Sequence, residues 1–198
     1  MSDIYYTIEH PGEGVYKEKM SKFLSFARFV TDSETVKQLI KDFQNKYHDA
    51  RHVCWAYMIG PQRQIWQIND NGEPSGTAGK PILGQINSFD LTNVLVVVVR
   101  YFGGIKLGTS GLITAYKEAA RLALESAGKK EVHELEILKI TFPYTVANDI
   151  MKVVKSEEME VLDKSFDNAC EMTCSFRKDY AERIRNRLSK INGLSVID

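Results

Sequence analysis

Between residues 4 and 30 apolar and polar positions alternate, broken at Pro11-Gly12 and again before Ser21, so the pattern predicts three strands, 4–8, 13–19 and 22–30. Thr31-x-x-Glu34 then reads as a capping box. It opens a helix whose apolar positions Val36, Leu39, Ile40, Phe43 and Tyr47 follow the 3.6-residue period. Strands at 52–59 and 63–68 flank a Gly60-Pro61 turn, and a second helix follows with Pro81 in its first turn. The run Val94–Val99 is continuously apolar, the mark of a strand covered on both faces. Ser110 is expected to cap a third helix that carries Leu112, Tyr116, Ala119, Ala120 and Ala123 on one face and stops at Gly128.

From about residue 131 the texture changes. A strand at 134–142, a helix bearing Val146, Ile150, Val153 and Val154, and strands at 159–167 and 170–177 come first. A helix bearing Tyr180, Ile184, Leu188 and Ile191, with a box-like start at Asp179-x-x-Glu182, leads to a last short strand, Leu194–Ile197. That order, βαββαβ, is the ferredoxin-like unit. The expectation is an α+β chain of two domains, residues 1–130 and 131–198, the second small but within the range that folds alone.

Charge narrows the function classes. The 26 basic and 26 acidic side chains cancel, with 16 basic against 13 acidic up to Lys130 and 10 against 13 after it. A protein that coats DNA would be far more basic, so nucleic-acid contact here requires a local patch and should be salt-sensitive. Three cysteines, Cys54, Cys170 and Cys174, are an odd number without a disulfide framework, as in a reducing compartment. The start lacks a basic and apolar export signal, and no apolar run nears the roughly 20 residues that span a bilayer. A cytoplasmic protein with no membrane partner is expected.

Candidate chemistry concentrates in two glycine-rich loops flanking the apolar run. Residues 69–79 read NDNGEPSGTAG and residues 102–111 read FGGIKLGTSG, each leading into a helix. Backbone N–H groups at a helix N-terminus attract anions, and Lys80, Arg100 and Lys106 would add charge-assisted contacts. Gly76, Gly79, Gly103, Gly104, Thr109 and Ser110 complete this candidate anion or nucleic-acid site, with Tyr101 and Phe102 as stacking surfaces. The competing reading is that the glycines serve only turns and close packing. Neither a Walker A loop nor a dinucleotide fingerprint is present: Thr109 stands where the phosphate-binding lysine would be, and Gly104, Gly108 and Gly111 do not make G-x-G-x-x-G.

A second candidate polar site gathers Asp70, Glu73, Ser75, Thr77 and His52 as acid, base or metal groups, although Asp70-Asn71-Gly72 is also an ordinary turn. His48 and His52 have helical metal-pair spacing, but the pattern turns to strand between them, so no metal is expected. No cofactor is expected either. Cys170 and Cys174 share a strand face about 13 Å apart at roughly 3.3 Å per residue, too far for a disulfide, and read as core.

The segments DNGEPSGTAGKPIL (70–83) and NVLVVVVRYFGGIKLGTSGL (93–112), with Lys19-Met20-Ser21-Lys22-Phe23 and Ala50-Arg51-His52-Val53-Cys54-Trp55-Ala56, resemble the signature of the IMPACT/YigZ family. The resemblance covers residues 1–130. It implies a left-handed βαβ first domain like those of a ribosomal small-subunit protein, elongation factor G domain IV and the GHMP kinases. It also implies a second domain similar to the last domain of elongation factor G. Eukaryotic members carry an RWD domain that restrains a starvation-responsive kinase; with no such segment before residue 1, that role is not expected to transfer. The leading expectation is a non-enzymatic, translation-associated regulator that binds RNA, the ribosome or a translation factor through the loops. A small-molecule enzyme or a protein binding a small phosphorylated ligand is the alternative.

Overall fold

The apolar run 94–99 lies in the middle strand of a five-stranded sheet in the computed structural model, which describes residues 3–166 and 170–197. From the N-terminus the elements are β1 (Ile4–Thr7), β2 (Gly12–Glu18), β3 (Ser21–Phe29), α1 (Ser33–Lys46), β4 (His52–Ile59), β5 (Ile65–Asn69), α2 (Gly79–Ser88), β6 (Val94–Tyr101), α3 (Gly108–Ala127) and β7 (Lys130–His133). The large sheet has the order β2-β3-β6-β4-β5 with every neighbouring pair antiparallel. Since β3 and β4 lie on either side of β6, the β3–α1–β4 connection crosses over the middle strand. β1 and β7 form a separate two-stranded sheet.

Strand alternation explains why β6 is apolar on both faces from Val94 to Val99. Val94, Val96 and Val98 join the core made by α2 and α3, including Ile82, Ile86, Leu112, Tyr116 and Ala120, while Leu95, Val97 and Val99 face Val36 and Phe43 of α1. Each valine side chain buried from full exposure is worth about 1.5–3 kcal/mol, so this one strand anchors both layers.

Two expected caps differ. Asp32, one residue beyond Thr31, caps α1, accepting from the Thr35 N–H at 2.7 Å and the Thr35 hydroxyl at 2.8 Å. These hydrogen bonds hold its carboxyl below the ordinary value, and an anion at the positive helix end outcompetes a hydroxyl. Ser110 caps nothing: Gly108, at φ +74°, starts α3 two residues earlier, leaving Ser110 exposed in the first turn and the helix without a side-chain cap.

The chain divides into two units, one spanning Tyr5–Val132 and one joining Asp3 and Ile4 to the residues from His133 onward. The second contains β8 (Leu135–Phe142), α4 (Ala147–Ser156), β9 (Glu160–Phe166), β10 (Cys170–Arg177), α5 (Ala181–Leu188) and β11 (Ser195–Ile197). Residue 167 of the expected strand 159–167 lies outside the described residues. The sheet order β11-β8-β10-β9, all antiparallel, is the 4-1-3-2 arrangement of a βαββαβ unit. Leu138, Ile140, Phe142, Met172, Cys174 and Phe176 pack one face against Ile150 and Val154 of α4 and Ile184 and Leu188 of α5. In place of the expected box at Asp179, a short 3-10 turn, Lys178–Tyr180, leads into α5.

Asp3 belongs to this second unit because its buried carboxylate accepts from Arg177 Nε at 3.0 Å and Nη2 at 3.2 Å, with His133 Nδ1 at 3.3 Å. The Arg177 guanidinium holds the Asp3 carboxyl down at about 2.

Candidate anion-binding site

Arg100 occupies the next position on the Val94-Val96-Val98 face of β6, where the valine stripe meets α3 and a cation replaces a core residue. It pairs across the sheet with His52 on β4 and with Phe23 on β3. Its Nη1 donates to Glu73 Oε1 at 2.6 Å in an ion pair whose side chains are 6% and 3% exposed. The Tyr116 hydroxyl of α3 donates to the same oxygen at 2.8 Å, and the Cys54 thiol lies 3.3 Å from that hydroxyl. Burial raises the tyrosine pKa and pushes the Cys54 thiol up to about 12, so both stay protonated donors. The guanidinium is packed 5.5 Å from the centroids of both Phe23 and Phe102. Its Nε is buried without a partner.

The first glycine-rich loop is built by Asp70, and here the expected site must be corrected. Asn71 and Gly72 both have positive φ, the Glu73 N–H returns to the Asp70 carbonyl at 2.9 Å, and a tight turn results. The Asp70 carboxylate then accepts from the N–H groups of Gly76 at 2.8 Å, Ala78 at 3.0 Å and Gly79 at 2.8 Å. The protein's own carboxylate thus fills the anion nest at the start of α2, so Gly76 and Gly79 have no N–H left for a ligand and Asp70 is no free acid or base. Thr77 is buried and donates to the Pro74 carbonyl at 2.7 Å. Ser75 and Lys80 are exposed, outside the cavity described below.

The second loop is different. Gly103 is there for packing, since a Cβ at this position would fall 2.1 Å from the Met20 carbonyl carbon in the β2–β3 turn. Gly104 and Gly108 have φ of +89° and +74° with open space where a side chain would be. The first turn of α3 has no side-chain cap and no acidic residue, so its N–H groups keep the positive end of a 20-residue helix unneutralised.

A cavity of about 490 Å³ opens at this helix end, lined by Arg51, His52, Glu73, Pro74, Arg100, Phe102, Lys106, Leu107, Gly108, Thr109 and Leu112. It lies within the usual size range of small-ligand sites, roughly 300–1,000 Å³. Of the residues singled out in the sequence, Arg100, Phe102, Lys106, Thr109, His52 and Glu73 meet here; Lys80, Tyr101, Ser110, Gly103, Gly104 and, from the first loop, Asp70, Ser75, Gly76, Thr77 and Gly79 do not line it. His52 Nδ1 donates to the Asn71 carbonyl at 2.8 Å, so the ring's other nitrogen, Nε2, lies 3.9 Å from Glu73 Oε1. Arg51 and the Tyr116–Cys54 support were missed. Arg51 follows directly on the helix-to-strand change near Ala50 and has no motif of its own to mark it; Tyr116 matches a helix-core position because its apolar spacing hides a polar tip.

Among the described residues no cluster of His, Cys, Asp and Glu forms a metal site, and no helix is long and apolar enough to cross a membrane. Fold and cavity together define a two-unit α+β protein with a cationic, helix-capped pocket in its first unit. The Impact N-terminal domain model matches residues 19–124, and the chain belongs to the IMPACT/YigZ family. It is similar to the IMPACT family member of Haemophilus influenzae, 29% identical over 182 residues that cover 90% of this chain and 88% of that one. It is 36% identical to IMPACT family member YvyE of Bacillus subtilis over 141 residues, 71% of this chain and 65% of YvyE, so it spans just under two thirds of that relative's length. A solved structure described as a hypothetical protein superposes with a TM-score of 0.75 at 25% identity, covering 100% of this chain and 97% of that one.

Proposed function

We propose that the protein is a non-enzymatic, translation-associated regulator that acts in the cytoplasm and binds RNA phosphate, on the ribosome or on a partner's RNA, through the first-unit pocket. One observation carries this reading: uncapped N–H groups at the start of α3 open on the same cavity as Arg51, Arg100 and Lys106. A long helix with no acidic first turn, facing three cations and one carboxylate, favours an anionic ligand over a neutral or cationic one. The translation setting follows from the family resemblance, whose two domain types both occur in translation machinery, and the 4-1-3-2 sheet of the second unit is in keeping with it.

The test is sedimentation of the tagged chain in clarified lysate through sucrose gradients at low and high salt. Co-migration with ribosomal particles is expected at low salt, lost at high salt, and lost at low salt for Arg51→Glu/Lys106→Glu, which alters two exposed side chains. Migration at the top of both gradients contradicts the reading. The enzyme alternative draws on one feature, the His52 Nε2 beside the buried Glu73 carboxylate. It requires turnover of a phosphorylated metabolite that His52→Ala abolishes.

A further inference from the structure

We infer that the pocket takes a terminal phosphomonoester carried on a planar base, the 5′-phosphate end of a nucleotide, in preference to a phosphate inside a strand. This rests on the anion reading above and refines it. Depth is the first reason. Arg100, the fixed cation, lines the cavity with its side chain only 6% exposed, together with Gly108, where space is open. A terminal phosphate enters such a recess end-on, whereas an internal phosphodiester must bring a strand in and lead it out again.

Charge is the second. Arg51, Arg100 and Lys106 set against Glu73 give the lining a formal +2 with His52 neutral. A phosphomonoester has its second pKa near 6 and is close to a dianion at pH 7, while a phosphodiester carries a single charge. The wall supplies the third reason. Phe102 is 49% exposed, with the Arg100 guanidinium 5.5 Å from its centroid. Pro74, Leu107 and Leu112 continue the apolar surface, so a base stacked on Phe102 would sit beside its own phosphate.

The same chemistry has two sources, a free mononucleotide and a 5′-phosphorylated RNA end. Fluorescence anisotropy of the full chain at low salt, with a 3′-labelled short RNA bearing either a 5′-phosphate or a 5′-hydroxyl, separates them when nucleoside 5′-monophosphates and nucleosides are the competitors. The expected result is at least roughly tenfold tighter binding of the 5′-phosphorylated RNA, competition by the monophosphate and none by the nucleoside. Lys106→Glu should abolish the preference, and Phe102→Ala, at an exposed position, should weaken binding about fivefold or more. Equal affinity for both RNA ends, still sensitive to Lys106→Glu, overturns this inference and leaves RNA binding standing. Binding of the mononucleotide with neither RNA supports the inference and overturns the RNA reading. No binding of any of them overturns both.

Discussion

Replacing Glu73 with leucine removes the carboxylate that pairs with Arg100 and strands a guanidinium whose side chain is 6% exposed. Breaking a buried pair from one side costs about 3–5 kcal/mol, because the remaining charge stays desolvated. Both tryptophans, Trp55 and Trp66, lie in the first unit, so tryptophan fluorescence in a urea titration follows that unit alone. With a urea slope of about 2 kcal/mol/M, the midpoint should fall by roughly 1.5–2.5 M. Arg100→Met alone should cost less, since Tyr116 still donates to Glu73 at 2.8 Å. The double variant Arg100→Met/Glu73→Leu should recover at least about 2 kcal/mol relative to Glu73→Leu, since an apolar pair avoids the desolvation that the lone cation suffers. If Glu73→Leu moves the midpoint by less than the equivalent of about 0.5 kcal/mol, or the two single effects simply add, the pair is not the buried keystone described above.

Three further outcomes follow from other parts of the molecule. Gly103→Ala should destabilise the first unit by about 1–3 kcal/mol through its clash with the Met20 backbone, and more than Gly104→Ala, where only the positive φ opposes a side chain; urea midpoints of the two variants check this. The Asp3 carboxyl, held at about 2 by Arg177, binds protons less readily folded than unfolded, so its contribution to the second unit is complete above pH 4 and fades as pH falls toward 2. A carbon-13 titration of Asp3 should show that low midpoint, moving toward 4 in Arg177→Gln. Burial pushes the Cys54 thiol up to about 12 and Cys174 up to about 11, so neither should react with a disulfide reagent at pH 8 until urea is added; rapid native labelling of either would contradict their burial.

What the sequence discloses and what it hides divides along sequence separation. The Val94–Val99 run, the α3 stripe and the βαββαβ order depend on local periodicity and are read correctly from it. The fate of the first glycine-rich loop is decided by Asp70 reaching six to nine residues ahead to take three N–H groups, which composition does not reveal. Gly103 owes its identity to Met20 on another turn, and Asp3 owes its place to Arg177, 174 residues away. The Arg100–Glu73 pair joins two residues that fall in separate candidate sites on the sequence, one for anions and one for acid–base chemistry. Ser110 has the residue type of a cap, but α3 begins two residues earlier at Gly108, whose φ is positive.

The most direct test of the anion-binding pocket is an amide chemical-shift titration of the nitrogen-15-labelled chain with a short 5′-phosphorylated RNA at low salt. The account predicts saturable shifts at Gly108, Thr109 and Ser110 and at Arg51 and Phe102, absent in Lys106→Glu, with Gly76, Ala78 and Gly79 unmoved because Asp70 holds their N–H groups. Shifts centred on the Gly76–Gly79 turn, or scattered over the surface with none at the start of α3, would contradict it.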